Sequence, residues 1–300
     1  MDSQSSPRIG VALGSGAARG LSHIPYIEAM DEMGLKPSII AGTSIGALIG
    51  AGWANGMTGA DLREHAFSVL GSFQQIAGKL WTGLPTLTGA FKTGLSFQVD
   101  ARAITDAFLP EGFPDDFSAL SIPLNVVATD LRGWEEVVIG AGPLRTAIAA
   151  SLAIPSLFRS VSHAGRIFVV GGATNPLPLD RAAIGSDILV GIDVNGVADE
   201  KLTGIEPGVF DASFLASQIM SQTMIRNMIK HYPPDVYVQP AVNAFGILEF
   251  WRVREVLAAA ETDKDRFKRA LGTAIEGFEA RRRGGLLTDA LPAEANGRQP

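Results

Sequence analysis

Apolar runs and glycine-containing turns alternate along the first part of the chain. An apolar run at residues 8–13 ends in glycines and is followed by helical apolar spacing at residues 18–33. A second short apolar run at residues 38–41 precedes a stretch of small and apolar residues at 45–54, which ends in Asn-Gly. Short apolar runs alternating with helical stretches and tight turns are typical of parallel strands covered by helices. The chain is therefore predicted to begin as strand, helix, strand, helix.

The remainder of the chain continues this mixture of strands and helices. Further strands are predicted at residues 124–129, 135–139, 159–161, 167–170, 187–194 and 236–238, and further helices at residues 61–70, 143–152, 210–230 and 263–283. The methionine and isoleucine stripe of residues 210–230 favours a helix face that packs in the core, with an interface as the alternative. This order of elements predicts an α/β protein with a mostly parallel central sheet.

The same pattern suggests how the chain is organised. We expect a core unit at residues 8–195, a helical extension at residues 196–283 packed on the same unit, and a disordered tail at residues 284–300. Residues 71–97 are rich in glycine, threonine and large apolar residues with little periodicity. They suit either an ordinary packed insertion or a mobile apolar flap over a substrate site.

Composition and charge exclude several classes of protein. Hydrophobic residues make up 46% and charged residues 19% of the 300 residues, which excludes intrinsic disorder. A net charge of −6 without a basic cluster argues against a nucleic-acid partner. The chain has no cysteine, and its four histidines lack metal-ligand spacing, so we expect no metal site. The polar start lacks a signal-peptide pattern, and the uncharged residues 37–60 are broken by glycines, so we expect a cytoplasmic protein without a membrane span.

The turn after the second predicted strand carries a candidate nucleophile. It reads Gly42-Thr43-Ser44-Ile45-Gly46, the GxSxG pattern in which a sharp strand-to-helix turn presents a serine hydroxyl. Glycines two positions before and after the serine remove side chains that would collide in such a turn. Five letters alone arise by chance, but the strand before Ser44 and the helix after it favour a catalytic serine over a plain tight turn.

The turn after the first predicted strand is a glycine-rich loop. It reads Gly14-Ser15-Gly16-Ala17-Ala18-Arg19-Gly20. A dinucleotide site would need a glycine in place of Arg19 and an acidic residue after the second strand, where this chain has none. The alternative is an anion pocket, in which the backbone N–H groups of Gly16 and Ala17 stabilise a developing oxyanion. Turns after neighbouring parallel strands open on one sheet edge, so we expect this loop to lie beside Ser44.

These two turns and three later stretches together resemble the patatin-like phospholipase family, and most closely its bacterial RssA-type branch. The later stretches are Ala-Thr-Asp-Leu at residues 128–131, Ala-Ala-Ser-Leu-Ala-Ile-Pro-Ser-Leu-Phe at residues 149–158, and Asn-Pro-Leu-Pro at residues 175–178. The resemblance extends over about residues 8–195. It implies a three-layer α/β/α patatin-like fold. It also implies that the protein hydrolyses acyl esters of lipids.

The resemblance also implies roles for individual residues. Ser44 would be the nucleophile of a Ser-Asp dyad, and Gly16, Ala17 and Arg19 would form the oxyanion hole. Arg19 either supports the glycine loop or contacts a phosphate head group. The motif glycines would be Gly14, Gly20, Gly42, Gly46, Gly171 and Gly172. No cofactor is implied, and the partner would be a lipid or another acyl ester, with transient peripheral membrane contact through residues 71–97 at most.

The chain departs from the family at the aspartate of the dyad. Five residues before Asn175, where the family has the aspartate of its Asp-Gly turn, this chain has Val170. Valine accepts no proton, and losing a general base commonly lowers the rate by about 10²- to 10⁴-fold. The sequence therefore predicts an impaired lipid acyl hydrolase or, alternatively, a catalytically silent relative that binds a lipid or a partner protein.

Other residues are weaker candidates for the missing base. Asp180 and Asp193 follow Val170 in the chain, and His163 would suit a serine–histidine arrangement. Asp130 belongs to a stretch of the family where its role is structural. His23, on the first helix, is interpreted as a packing residue.

Overall fold

The computed structural model describes residues 6–81, 100–155, 157–197 and 208–285. Its strands are β1 (Ile9–Leu13), β2 (Ile39–Thr43), β3 (Leu124–Asp130), β4 (Glu135–Ile139), β5 (Val161–His163), β6 (Arg166–Val170), β7 (Ile188–Ile192) and β8 (Val236–Val238). Its α-helices are α1 (His23–Glu32), α2 (Ile45–Ala54), α3 (Gly59–Trp81), α4 (Ala101–Phe108), α5 (Leu144–Leu152), α6 (Leu179–Ala182), α7 (Val209–His231), α8 (Val253–Glu261) and α9 (Lys264–Arg283).

The strands form one mixed sheet in the order β5-β6-β3-β2-β1-β7-β8, with β4 paired to β3. Strands β1, β2, β3, β7 and β8 run parallel to one another. Strands β4, β5 and β6 are antiparallel to their neighbours and form one end of the sheet. The expected mostly parallel sheet is confirmed.

Strand β3 is longer than β2 and extends past its carboxyl end. Beyond that point, β6 pairs with the same edge of β3 that β2 pairs with earlier. Thr43, the last residue of β2, pairs with Val127, and the next residue of β3, Ala128, pairs with Val170 at the end of β6. The carboxyl ends of β2 and β6 therefore meet head to head. This register brings Val170 close to Ser44, which directly follows β2.

Alternating residues of the strands face two helical layers. On β1, Ile9, Val11 and Leu13 join the main core with side chains of α1, α2, α3, α8 and α9. The opposite face carries small residues, because a Cβ on Gly10 would lie only 2.0 Å from the backbone oxygen of Ala182 in α6. Helices α6 and α7 cover that face, and the molecule is a three-layer α/β/α fold, as the resemblance implied.

The structure corrects several predicted elements. The first helix begins with a 3-10 turn (Ala17–Ser22), and α1 starts only at His23. Helix α3 continues to Trp81, so the first residues of the segment predicted as an insertion or flap are helical. The rest of that segment, and the predicted disordered tail from residue 286, lie outside the described residues. Within the extension after residue 196, the strand predicted at residues 236–238 is present as β8.

Helix α7 is not the core helix that its apolar stripe predicted. Ile225 is buried between α6 and the sheet, but Ile219 and Met220 are 68% and 60% exposed. Gln218 and Gln222 donate hydrogen bonds to the chain that follows the carboxyl end of β7. The first half of α7 therefore extends beyond the sheet, and none of the strands in the described ranges covers it. No helix in the described ranges has the length and apolar character to cross a membrane.

Candidate active site

Ser44 lies at a strained turn between β2 and α2. Its φ angle is +57°, in the left-handed region that non-glycine residues rarely adopt, and such strain concentrates at functional sites. A Cβ on Gly42 would lie 2.6 Å from the Gly46 oxygen, so the turn accepts no side chain there. Ser44 itself is 2% exposed. The GxSxG segment has the strand–turn–helix context in which we expected it.

The turn is held by hydrogen bonds from neighbouring elements. The Ser44 amide donates to Ser151 Oγ at 2.7 Å, and the Ser151 hydroxyl donates to the Val127 oxygen at 2.6 Å. Thr43 Oγ1 donates to the backbone oxygen of Asn175 at 2.8 Å. Our sequence reasoning assigned no role to Ser151 or Thr43. The signal for Ser151 was its place in residues 149–158, one of the stretches that carry the family resemblance.

The glycine loop packs against this turn, as predicted. A Cβ on Gly46 would lie 2.2 Å from the Leu13 oxygen, and a Cβ on Gly20 would lie 2.1 Å from Ile45 Cγ2. Gly16 is equally constrained, since its Cβ would lie 2.6 Å from the Val194 oxygen. The two loops approach so closely that glycine is required on both sides of the contact.

Two backbone amides of the glycine loop are open. The amides of Gly14, Ser15 and Ala18 donate to carbonyl oxygens of neighbouring segments. The amides of Gly16 and Ala17 have no hydrogen-bond acceptor within the part of the chain that the structure describes. Ala17 has a φ angle of +49° at the start of the 3-10 turn, a second strained residue at this edge. Two adjacent, unpaired amides are what an oxyanion would need.

Arg19 is bound to the protein itself. Its Nε donates to the Phe245 oxygen at 2.7 Å, and its Nη1 donates to the Asn195 oxygen at 3.0 Å. Burial lowers the pKa of the guanidinium, and the nearby Glu249 carboxylate opposes that effect. These bonds favour the interpretation of Arg19 as a support of the glycine loop over that of a contact for a phosphate head group.

His23, the first residue of α1, supports the same glycine loop. Its ring is fully buried, and Nε2 lies 2.9 Å from the Gly14 oxygen. Burial lowers the pKa of His23 to about 4, so the ring is neutral at pH 7 and Nε2–H donates to the carbonyl. Nδ1 is buried without a hydrogen-bond partner in the described structure. His23 therefore packs, as expected, and also fixes the orientation of a glycine-loop peptide.

The turn that begins at Val170 contacts both of the other segments. A Cβ on Gly171 would lie 2.1 Å from the Val127 oxygen and 3.1 Å from Thr43 Cγ2. A Cβ on Gly172 would lie 3.1 Å from Ser15 Oγ. The three segments singled out from the sequence thus meet at the carboxyl edge of the sheet, and the third of them begins with the apolar residue Val170.

The carboxylate of Asp180 is engaged by neighbouring side chains and has no hydrogen bond with Ser44 in the described structure. It accepts from Asn175 Nδ2 at 2.9 Å and forms an ion pair with Arg181 at 3.0 Å. Helix α6, which carries Asp180, runs toward the amino end of β1, where the Ala182 oxygen approaches Gly10. Its partners and its position make it a poor substitute base.

The carboxylate of Asp193 is fully buried after β7. It accepts from the Asn195 amide at 2.9 Å, Tyr237 Oη at 2.7 Å, Gln239 Nε2 at 3.0 Å and Gln222 Nε2 at 3.2 Å. It also raises the pKa of Tyr237, although burial contributes more to that shift. These four bonds give Asp193 a role in joining β7, β8 and α7.

The remaining alternatives lie farther away or are otherwise engaged. His163 is exposed at the end of β5, which pairs with β6 and not with β2. Asp130 accepts from the amides of Arg132 and Gly133, and the Gly133 amide contributes most to lowering its pKa. Across the described ranges, no three acidic or histidine side chains gather as metal ligands.

Comparison with known proteins agrees with this geometry. The family model for patatin-like phospholipase matches residues 11–183, more than half of the chain. An uncharacterized NTE family protein of Mycobacterium tuberculosis is 34% identical over 206 residues, which are 68% of this chain and 54% of that protein. Lysophospholipase nte1 of Aspergillus fumigatus is 25% identical over 273 residues, covering 83% of this chain and 17% of that protein. The chain spans about half the length, or less, of these curated relatives.

Solved structures with similar chains were also found. The crystal structure of VipD from Legionella pneumophila aligns with a TM-score of 0.42 and 14% identity, covering 87% of this chain and 67% of that one. Human GIVD cytosolic phospholipase A2, in complex with methyl gamma-linolenyl fluorophosphonate, aligns with a TM-score of 0.38 and 13% identity, covering 91% and 60% of the two chains. The family match and the sequence relatives together show that this chain belongs to the patatin-like phospholipase family.

Proposed function

We propose that this protein is a lipid acyl hydrolase that cleaves carboxylic esters through an acyl-enzyme on Ser44, and that it is slow because Val170 replaces the aspartate of the dyad. One observation carries the proposal: the strained Ser44 turn lies against a glycine loop with two open amides. A nucleophile beside preorganised N–H donors is the arrangement that acyl transfer requires.

In the proposed reaction, Ser44 Oγ attacks the ester carbonyl carbon. The amides of Gly16 and Ala17 donate to the oxyanion, while Arg19 and His23 keep the loop in place. The bond to the leaving alcohol then breaks, and the hydroxyl proton of Ser44 ends on the leaving oxygen. Water next attacks the acyl group, releases the carboxylic acid and returns a proton to Ser44.

Val170 provides no relay for these proton transfers. Without a positioned carboxylate, the proton must pass through solvent, and we expect a rate about 10²- to 10⁴-fold below that of a complete dyad. Asp180 and Asp193 do not remove this deficit, because their carboxylates already accept hydrogen bonds from other groups.

The alternative is a catalytically silent protein that binds a lipid or a partner protein through the same edge. The specific observation in its favour is Val170 itself, since it leaves the oxyanion loop and the serine turn intact but removes the base. A lipid substrate is supported by the printed name of the Aspergillus relative, a lysophospholipase. Closeness to the RssA-type branch, the lack of a nucleic-acid partner and a cytoplasmic address remain predictions.

The decisive experiment compares initial rates on p-nitrophenyl butyrate for the wild type, Ser44→Ala and Ser38→Ala. Ser38 lies just before the opposite end of β2, and its hydroxyl donates to the Ile9 oxygen, so its variant controls for loss of a serine near the same strand. We expect a low rate above buffer that Ser44→Ala abolishes and Ser38→Ala retains. A fluorophosphonate should label the wild type and not Ser44→Ala. Equal background rates in all three proteins would refute the hydrolase proposal and leave the silent alternative.

A further inference from the structure

Large apolar side chains are exposed mainly around one edge of the sheet. Ten such side chains are exposed among the described residues. Seven of them belong to segments at the carboxyl edge that contains Ser44: Leu131, Trp134, Val197, Leu215, Ile219, Met220 and Trp251. The other three, Ile184, Tyr232 and Tyr237, lie elsewhere. Single exposed apolar residues are ordinary, but their concentration around a candidate site indicates a surface that contacts another phase or molecule.

The turn between β3 and β4 forms one side of this surface. Strand β3 continues for three residues beyond Val127, the partner of Thr43, so the turn stands roughly 10 Å past the end of β2. Trp134 in this turn is 90% exposed and has a φ angle of +56°. Its amide donates to the Asp130 oxygen at 2.9 Å. Trp134 therefore combines a strained backbone with a side chain that is exposed to solvent.

The first half of α7 forms the other side. Gln218 donates to the Asn195 oxygen at 2.9 Å, which fixes this half of the helix beside the chain that braces Arg19. Leu215, Ile219 and Met220 lie on the part that extends beyond the sheet. Trp251 lies near the same side, in a segment whose Ile247 oxygen accepts from the Ala18 amide. In the strand order of the sheet, β2 lies between β3 and β7, so the two apolar sides flank the edge that carries Ser44.

The charges of these segments suit a neutral lipid surface. No charged residue occurs from Ala212 to Ile225, and Arg132 is the one charge in residues 131–134. The segment around Trp251 is charged, but its Arg252 forms ion pairs with Glu249 and Glu255. An anionic membrane would be attracted by clusters of unpaired lysine and arginine, which the turn between β3 and β4 and the first half of α7 lack. Tryptophan, leucine, isoleucine and methionine side chains instead suit the boundary between head groups and acyl chains.

We propose that this carboxyl-edge apolar surface, defined by the seven side chains above, docks the protein on a neutral phospholipid–water interface. The inference deepens the proposed function, because docking would present the lipid ester directly to Ser44. A flat lipid surface could contact both apolar sides at once, and Ser44 would then face the lipid. A second copy of the chain seated on the same surface would instead cover the site.

The test is co-flotation with vesicles of pure phosphatidylcholine, a readout that needs no catalysis. Two variants remove side chains from the surface, Trp134→Ser on one side and the double variant Ile219→Ser/Met220→Gln on the other. Ile184→Ser is the matched control, since Ile184 is 59% exposed but follows α6 at the amino end of the sheet. All positions are exposed, so the melting temperature should stay within a few degrees of the wild type.

We expect the wild type and Ile184→Ser to float with the vesicles, and each surface variant to partition about tenfold less. Binding that requires phosphatidylserine, or equal flotation of all variants, would overturn the proposal. A wild type that does not float and is a dimer, which Ile219→Ser/Met220→Gln converts to a monomer, would assign the surface to a second copy. Flotation without Ser44-dependent hydrolysis would refute the hydrolase proposal while leaving the docking surface standing.

Discussion

In the proposed function, the side chain of residue 170 determines how fast Ser44 reacts. Val170 is anchored by its amide, which donates to the Ala153 oxygen at 2.9 Å, and by its oxygen, which accepts from Thr129 Oγ1 at 3.0 Å. The backbone would therefore hold an aspartate in the same place. We predict that Val170→Asp raises the Ser44-dependent rate on p-nitrophenyl butyrate by about 10²- to 10⁴-fold.

The control for this gain is Val170→Asn. Asparagine matches aspartate in size and polarity but accepts no proton at neutral pH, so its rate should stay at the wild-type level. If both variants gain equally, polarity and not proton transfer explains the effect. If neither gains while both keep the wild-type melting temperature, residue 170 does not limit catalysis.

His23 makes the stability of the protein depend on pH. The native state keeps the ring neutral down to a pKa of about 4, whereas the unfolded chain protonates it near the ordinary value of 6.5. The unfolded state therefore binds more protons between these values, so stability is lost as the pH falls from about 6.5 to about 4. The full effect corresponds to about 3 kcal/mol.

Urea unfolding at several pH values between 5 and 7 measures this dependence. We expect His23→Asn to flatten the slope of the free energy of unfolding against pH. His163→Asn, at an exposed position on β5, should keep the wild-type slope. A slope unchanged in His23→Asn would show that another group carries the pH dependence.

Residue-scale prediction succeeded where the requirement is local. Gly42 follows from the geometry of one turn, since its Cβ would meet the Gly46 oxygen, whereas Gly46 is required by the Leu13 oxygen of the neighbouring segment. His23 binds the Gly14 oxygen only nine residues before it, but the supporting role of Ser151 depends on distant segments, through the Ser44 amide and the Val127 oxygen. No pattern within a single segment contains that information.

At the scale of elements, helix α5 holds the turn between β2 and α2 through Ser151. Ser151→Ala removes the acceptor of the Ser44 amide and leaves that buried donor unpaired. We predict a loss of about 1 to 3 kcal/mol in the free energy of unfolding, measured in urea. Ser217→Ala, which removes an exposed hydroxyl from α7, should change it by less than about 0.5 kcal/mol.

The same variant tests whether α5 affects the nucleophile. Fluorophosphonate labelling of Ser44 should be slower in Ser151→Ala than in Ser217→Ala, because the strained φ of Ser44 loses a support. Unchanged stability and labelling would mean that the Ser151 bonds are replaced by water at little cost.

The prediction that α7 packs in the core was wrong for the part of the helix that no described element covers. The stripe of α7 has the spacing of a core helix, but burial depends on whether a second surface lies opposite it. Helix α7, about 34 Å long, is twice the length of five-residue β7, about 17 Å, so the sheet covers only part of it. Helices α4 and α8 were missed, although Asp100 caps α4 by accepting from the Arg102 amide.

At the scale of the whole molecule, the candidate site draws on nearly the full length of the chain. We predicted a core at residues 8–195 with an extension packed on it. The extension does more than pack: β8 pairs with β7, and the Phe245 and Ile247 oxygens accept from Arg19 and Ala18 in the glycine loop. The family resemblance ends near residue 195, so it gave no indication of these contacts.

The bond between Arg19 and Phe245 also concerns the order in which the protein is made. Its two ends are 226 residues apart in the chain. At about 5 to 20 residues per second, a ribosome needs roughly ten to forty-five seconds to synthesise that interval. During this time the nascent chain already contains Ser44 but lacks the segment that braces the glycine loop. A growing polypeptide would thus lack a braced glycine loop until the segment around Phe245 has been synthesised.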